Sequence, residues 1–161
     1  RSFPVSGTFN PMQKLLYEIV LKGQREVEKK ARSGVTIEEL NEICWNSVND
    51  GLEKKFLAAG GKCKLRYQER PHGVSHLMGE QEHDGDPFRN YASKPMQAGW
   101  MISNEPGLYG EFKIRLDGKT YDETIGIRIE DNLVMTENGC INLSNIIPKS
   151  VSAIERLMAA S

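Results

Sequence analysis

All three histidines of the chain lie in one stretch, Pro71-His72-Gly73-Val74-Ser75-His76-Leu77-Met78-Gly79-Glu80-Gln81-Glu82-His83-Asp84. Three imidazoles this close together, interleaved with glycines, can converge on a point as scattered histidines cannot. Neutral imidazole is the commonest protein ligand for a mid-row divalent metal, and it carries protons near neutral pH. The bland alternative is a polar surface loop that happens to be rich in histidine.

Two glutamates and an arginine further along could join this chemistry. In Ile125-Gly126-Ile127-Arg128-Ile129-Glu130, strand alternation puts Arg128 and Glu130 on one face and Ile127 and Ile129 on the other. A guanidinium and a carboxylate so placed can simply be a salt bridge. Glu105 ends another strand-like run, before Pro106-Gly107, where a side chain projects from a fixed backbone. One histidine with two strand-borne glutamates makes a mixed nitrogen and oxygen shell suited to Mn²⁺, Co²⁺, Fe²⁺ or Zn²⁺. The spacing of His72 and His76 also matches the H-E-x-x-H helix of zinc proteases. That motif needs glutamate directly after the first histidine, where this chain has Gly73, and Pro71 with Gly73 makes a poor helix. The zinc-protease reading is therefore rejected.

These residues need a scaffold, and the flanking sequence supplies one. Arg1–Gly7 reads as the end of a strand running into a turn. Asn10 and Pro11 start a helix, with Met12, Leu15, Leu16, Ile19, Val20 and Val27 as its apolar stripe and Gly34 as its stop. Thr36 and Glu39 form a capping box for a second helix, whose stripe runs from Ile37 to Phe56 and which Gly60-Gly61 ends. Past the histidines the period changes to 2. Trp100–Glu105 reads as a strand, and Asp117-Gly118 as a hairpin turn between Lys113–Leu116 and Lys119–Thr124. Ile125–Glu130 follows as a further strand. Asn138-Gly139 turns Leu133–Glu137 into Cys140–Leu143, and Ser150 caps a short last helix. Two helices, then antiparallel strands, then a helix make an α+β domain.

Composition narrows the function classes. With 161 residues the chain has the size of one domain, and 39% hydrophobic with 27% charged residues reads as globular. A net charge of -1 gives no electrostatic case for nucleic acid or an anionic membrane, and no apolar run approaches the roughly 20 residues of a membrane span. Cys44, Cys63 and Cys140 lack disulfide or zinc spacing, which favours a reducing, cytoplasmic compartment. Arg1 is not a natural start, so a targeting segment stays open.

Pro-His-Gly-Val-Ser-His, the following His83-Asp84, Ile-Ser-Asn-Glu-Pro-Gly-Leu-Tyr, Gly-Ile-Arg-Ile-Glu-Asp and Thr-Glu-Asn-Gly-Cys together resemble the C-terminal part of the pita-bread (M24-type) metallopeptidases. Within them the chain most resembles the Xaa-Pro aminopeptidases and Xaa-Pro dipeptidases. Even Arg-Ser-Phe-Pro-Val-Ser-Gly at the start is similar to the family's segment after its second metal aspartate. The resemblance covers nearly the whole chain, with its motifs in family order. It implies the pita-bread fold, a curved antiparallel sheet flanked by helices, of which residues 1–161 would be the C-terminal part of one catalytic domain.

It further implies two divalent metal ions, usually Mn²⁺ with Co²⁺ or Zn²⁺ as alternatives. His76, Glu105 and Glu130 fall on ligand positions, Glu130 as the bridging carboxylate. His72 and His83 fall on positions that contact substrate and stabilise the oxyanion, Glu105 on that of the general base, and Arg128 on that of an arginine bracing the carboxylates. The family's two other ligands are aspartates from upstream of Arg1. Asp50, Asp84, Asp86, Asp117, Asp122 and Asp131 lie outside that motif, so the missing part of the domain or a second chain would supply them. The expected substrate is a peptide with proline at its second position, and a homo-oligomer is expected. The rival readings are an Xaa-Pro dipeptidase and a non-catalytic pita-bread peptide- or protein-binding module.

Overall fold

The computed structural model describes residues 1–67 and 70–160. Helix α1 (Pro11–Lys30) begins where the sequence places it. The Asn10 side chain accepts the Gln13 N–H, the Gln13 side chain accepts the Asn10 N–H, and Pro11 fills the first helical position. The helix stops at Lys30, short of Gly34. Helix α2 (Ile37–Gly51) is entered through the Thr36–Glu39 capping box and continues into a wider π-helical stretch, Leu52–Leu57. The expected stripe from Ile37 to Phe56 is buried apart from Ile43, which is half-buried. The last helix, α3 (Val151–Ala159), is capped by Ser150, and of its apolar residues Ile154 is the fully buried one.

Among the described residues, seven strands form two antiparallel sheets. They are β1 (Lys62–Leu65), β2 (Leu77–Met78), β3 (Met101–Asn104), β4 (Gly107–Leu116), β5 (Lys119–Arg128), β6 (Asp131–Met135) and β7 (Cys140–Asn142). One sheet has the order β1-β4-β5, the other β2-β3-β6-β7. Asp117 (φ 50) and Gly118 (φ 79) make the tight turn expected between β4 and β5, both in the left-handed region such a turn requires. The helices cover the sheet face carrying Leu108, Phe112 and Ile114, and Phe56 meets Phe112 edge to face at 5.7 Å.

Several expectations need correction. Arg1–Gly7 forms the turn, with Gly7 N–H donating to Pro4 O at 3.0 Å, but not the strand. Arg1 is drawn instead toward Glu130 O and the Asp131 carboxylate. The hairpin is much longer than the turn-flanking runs suggested. Lys119–Thr124 and Ile125–Arg128 are one strand, while β3 does end before Pro106-Gly107 as expected, and the chain is redirected there into β4. Strand β1 was not expected at all, because Lys62-Cys63-Lys64-Leu65 is half polar and pairs with β4 only along one edge. Glu130 lies just beyond β5, not on it.

These corrections locate the seam between the sheets. The chain leaves the four-stranded sheet after Asn104 and enters the other at Gly107, and it returns between Arg128 and Asp131. Glu105 and Glu130 occupy the two crossing points. Ile129 N–H donates to Pro106 O at 3.2 Å and ties the crossings together. The histidine segment runs along the same place, since Glu105 N–H donates to Val74 O (2.8 Å) and Ser103 N–H to His76 O (3.0 Å). Among the described residues no helix is long and apolar enough to cross a membrane.

Candidate active site

The seam brings His76 against Glu105. His76 Nδ1 lies 3.0 Å from Leu77 O, and a carbonyl can only accept, so Nδ1 carries the proton. In the neutral ring Nε2 then presents a lone pair, and it faces Glu105 Oε1 at 3.1 Å. Ser103 fixes both partners. Its Oγ accepts the His76 N–H at 3.0 Å and donates to Glu105 Oε1 at 3.2 Å. Glu105 Oε2 is bonded by Arg128 Nη1. Both His76 and Glu105 are buried.

Arg128 also starts a second chain of bonds. Its Nε donates to Tyr109 Oη at 2.5 Å, and Tyr109 Oη lies 3.4 Å from His72 Nε2. His72 Nδ1 is 2.8 Å from Gly73 O and must donate to it, which leaves Nε2 to accept from the tyrosine. Burial lowers the His72 pKa from its ordinary value and outweighs its bond to the Gly73 carbonyl, so the ring is held neutral. Trp45 meets the ring edge-on at 5.6 Å. Gly107 makes the arrangement possible. It pairs with Arg128 across the ladder, and a Cβ there would fall 2.2 Å from Tyr109 Oη.

The open side is a cleft of about 630 Å³, lined among others by His72, His76, His83, Glu105, Arg128 and Arg89. His83 meets His76 edge to face at 4.3 Å between ring centres. The loop carrying His83 is shaped by carboxylates. Asp84 accepts the N–H of Glu80 (3.1 Å) and of Gly85 (2.8 Å), while Asp86 Oδ1 accepts those of Phe88 (3.1 Å) and Asn90 (3.2 Å). Arg89 Nη2 reaches across to Ser75 O at 2.5 Å.

Glu130 lies within electrostatic reach of this group. Burial first, and then the neighbouring Glu105 charge, push its carboxyl above the ordinary range, against the pull of His76 and Arg128. The next residue, Asp131, is fully buried. Burial alone would raise its pKa. Bonds from Lys149 (2.6 Å), Asn142 (2.8 Å) and Gln24 (2.6 Å), with the Arg1 charge, outweigh burial and hold it low.

The donor set suits a divalent metal. A lone-pair nitrogen and a carboxylate oxygen 3.1 Å apart repel unless a proton or a cation lies between them. Among the described residues, though, no three or more His, Cys, Asp or Glu side chains are grouped so that they could hold a metal ion by themselves. Of the expected trio, His76 and Glu105 are brought together, whereas Glu130, on a link and not on a strand, is not among the residues lining the cleft. Sequence reasoning missed Tyr109, Ser103 and Arg89. Tyr109 was within reach of the period-2 argument, since Gly107 and Gly126 leave its ring room beside Arg128. Ser103 and Arg89 gave no signal, because their bonds depend on how the loop folds back over β3.

The sequence profile of metallopeptidase family M24 matches residues 1–137. The Xaa-Pro aminopeptidase of Escherichia coli is 34% identical over 168 residues, covering all of this chain and 37% of that protein. The mitochondrial intermediate cleaving peptidase 55 of Arabidopsis thaliana is 33% identical, covering 98% of this chain and 31% of that protein. The chain thus spans about a third of the length of these relatives. The structure of E. coli aminopeptidase P with the inhibitor Pro-Leu superposes with a TM-score of 0.79 at 32% identity, over 99% of this chain and 37% of that one. The α+β architecture and its motifs agree with this likeness throughout, and the chain belongs to metallopeptidase family M24.

Proposed function

We propose that residues 1–161 are the C-terminal part of one metallopeptidase catalytic domain, and that the whole protein removes an N-terminal residue followed by proline. The observation that carries this is the buried His76–Glu105 pair, two metal-suited donor atoms facing each other at a cleft. The match to an E. coli Xaa-Pro aminopeptidase along the whole chain supports the choice of substrate.

In this reading His76, Glu105 and Glu130 hold metal, and two aspartates from outside the chain complete a two-ion site, with Mn²⁺ preferred and Co²⁺ or Zn²⁺ as alternatives. When bound, two such ions supply the acidity that makes water a nucleophile near neutral pH and polarise a carbonyl. The chain's own residues do the rest. Arg128 pins Glu105 Oε2, and Oε1, which accepts from Ser103 and faces His76, is the oxygen to take the proton of the attacking water. His83 borders the cleft and, with His72, donates to the developing oxyanion. That role asks the neutral His72 ring to take up a proton at Nε2, the atom that accepts from Tyr109 at 3.4 Å, while Nδ1 keeps its bond to Gly73 O. Homo-oligomerisation and a cytoplasmic setting belong to the same proposal. The free, half-buried Cys63 and Cys140 suit a reducing compartment.

The test is hydrolysis of two peptides by the whole protein, one with proline and one with alanine at the second position. Release of the first residue from the proline peptide alone, lost on chelation and restored by Mn²⁺, is the expected result. Cleavage indifferent to chelation, or none by metal-loaded protein, would overturn the proposal.

A further inference from the structure

We infer that Gln24, on α1 and behind the cleft, is a positioning residue that sets the spacing of Glu105 and Glu130. The inference rests on reading those two carboxylates as metal ligands. The ladder between β3 and β6 pairs Asn104 with Asp131. Glu105 follows the one and Glu130 precedes the other, so they are the next facing positions, just past the last rung. Side chains alternate along a strand. Asn104 and Asp131 therefore turn to the back of the sheet, where α1 lies, while Glu105 turns to the cleft.

Gln24 occupies the point on which both back-facing residues converge, and it is fully buried. Its Nε2 donates to Asp131 Oδ2 at 2.6 Å, and its backbone carbonyl accepts Asn104 Nδ2 at 2.9 Å. One helical residue thus ties the ends of the two strands from which the carboxylates lead off. The tie is anchored on each side. Asp131 is also held by Arg1, Lys149 and Asn142, and Arg1 donates in addition to Glu130 O. Lys149 Nζ donates to Gln24 Oε1 at 3.3 Å, so the Gln24 amide is used at both ends. On the Asn104 side, Nδ2 is committed to the Gln24 carbonyl, while Oδ1 is buried with no partner among the described residues.

The test uses the protein carrying the whole metallopeptidase domain, stripped of metal and titrated with Co²⁺ by calorimetry and visible absorption. Gln24→Met keeps the shape and removes the amide. It should weaken Co²⁺ binding by about 10- to 100-fold and change the absorption band. Val48→Ala, a destabilising change in the helical core, should bind Co²⁺ as the parent does. Asn104→Ala cuts only the tie to the Gln24 carbonyl, and it decides the matter if Gln24→Met does not fold. Parental affinity and spectrum in the deciding variant, with binding lost in Glu105→Gln, would overturn the inference and leave the site reading intact. An equal loss in Val48→Ala would overturn it too, as general destabilisation. Parental binding in Glu105→Gln would bring down the site reading and this inference together.

Discussion

The two walls of the cleft are built by different means. One wall carries His76, Glu105 and Arg128 beside paired strands, where backbone bonds to Val74 and His76 fix the geometry and Ser103 and Tyr109 hold the side chains. The other, from His83 to Arg89, belongs to no strand, and a single backbone bond, from Asp84 N–H to Leu77 O at 3.0 Å, ties it to β2. It is shaped by Asp84 and Asp86 folding over their own backbone and by Arg89 reaching Ser75 O. The first wall can hold like charges close together because its backbone does not yield. The second is defined by a few bonds only. Sites that combine chemistry with selection often divide the work in this way, the chemistry standing on regular elements.

Breaking the strand wall should have the largest effect. Glu105→Ala and Glu130→Ala in the whole protein are expected to lower kcat/KM by at least about 10³-fold, read as lost transition-state stabilisation. Metal content, measured by mass spectrometry, should fall with activity. On the loop wall, His83→Ala should lower kcat by about 10²–10³, the range for losing one oxyanion donor. Steady-state kinetics on metal-loaded protein check this, and a kcat within threefold of the parent would remove His83 from the chemistry.

Arg128→Lys sharpens the contrast from within the strand wall. Arg128 reaches Glu105 and Tyr109 with separate nitrogens, and a single ammonium cannot reproduce that fork. The variant should fold normally and lose at least about tenfold in kcat/KM, equivalent to roughly 1.4 kcal/mol. Parental kinetics with an unchanged melting temperature would reduce Arg128 to a surface salt bridge. Asp86→Ala, which removes the acceptor shaping the loop, should raise KM a few-fold and leave kcat nearly unchanged. A kcat loss as large as that of His83→Ala would mean that the loop does more than select.

The smallest effect concerns pH. The folded His72 pKa lies below its ordinary 6.5, so the unfolded chain binds the proton more readily. Its contribution to stability is therefore present above 6.5 and is lost as pH falls through 6.5 toward the folded value. Thermal melts between pH 5 and 8 should show this slope, and His72→Asn should flatten it. A His72→Asn protein with the parent's slope would contradict the neutral assignment.

Much of this molecule was legible in its sequence, and the limits have physical causes. Local signals carried the helices. Asn10-Pro11, Thr36 with Glu39, and Ser150 are caps whose chemistry is complete within a few residues. Asp117-Gly118 marked its turn for the same reason. The half-polar β1 was not legible, since an edge strand needs only one good face. Nor was the redirection at Pro106, which depends on two sheets meeting. In the site, Glu105, Arg128 and the histidines were marked by motif and alternation. Ser103, Arg89 and Gln24 were silent, because each acts through a residue distant in sequence.

The most direct test of the central claim, that the strand wall holds metal and the loop wall does not, is the metal content of His76→Ala against His83→Ala. Both should be prepared from the whole protein under identical loading and measured by mass spectrometry. The account predicts that His76→Ala loses most of its bound metal, whereas His83→Ala keeps nearly all of it. Loss from His83→Ala as complete as from His76→Ala would contradict the account.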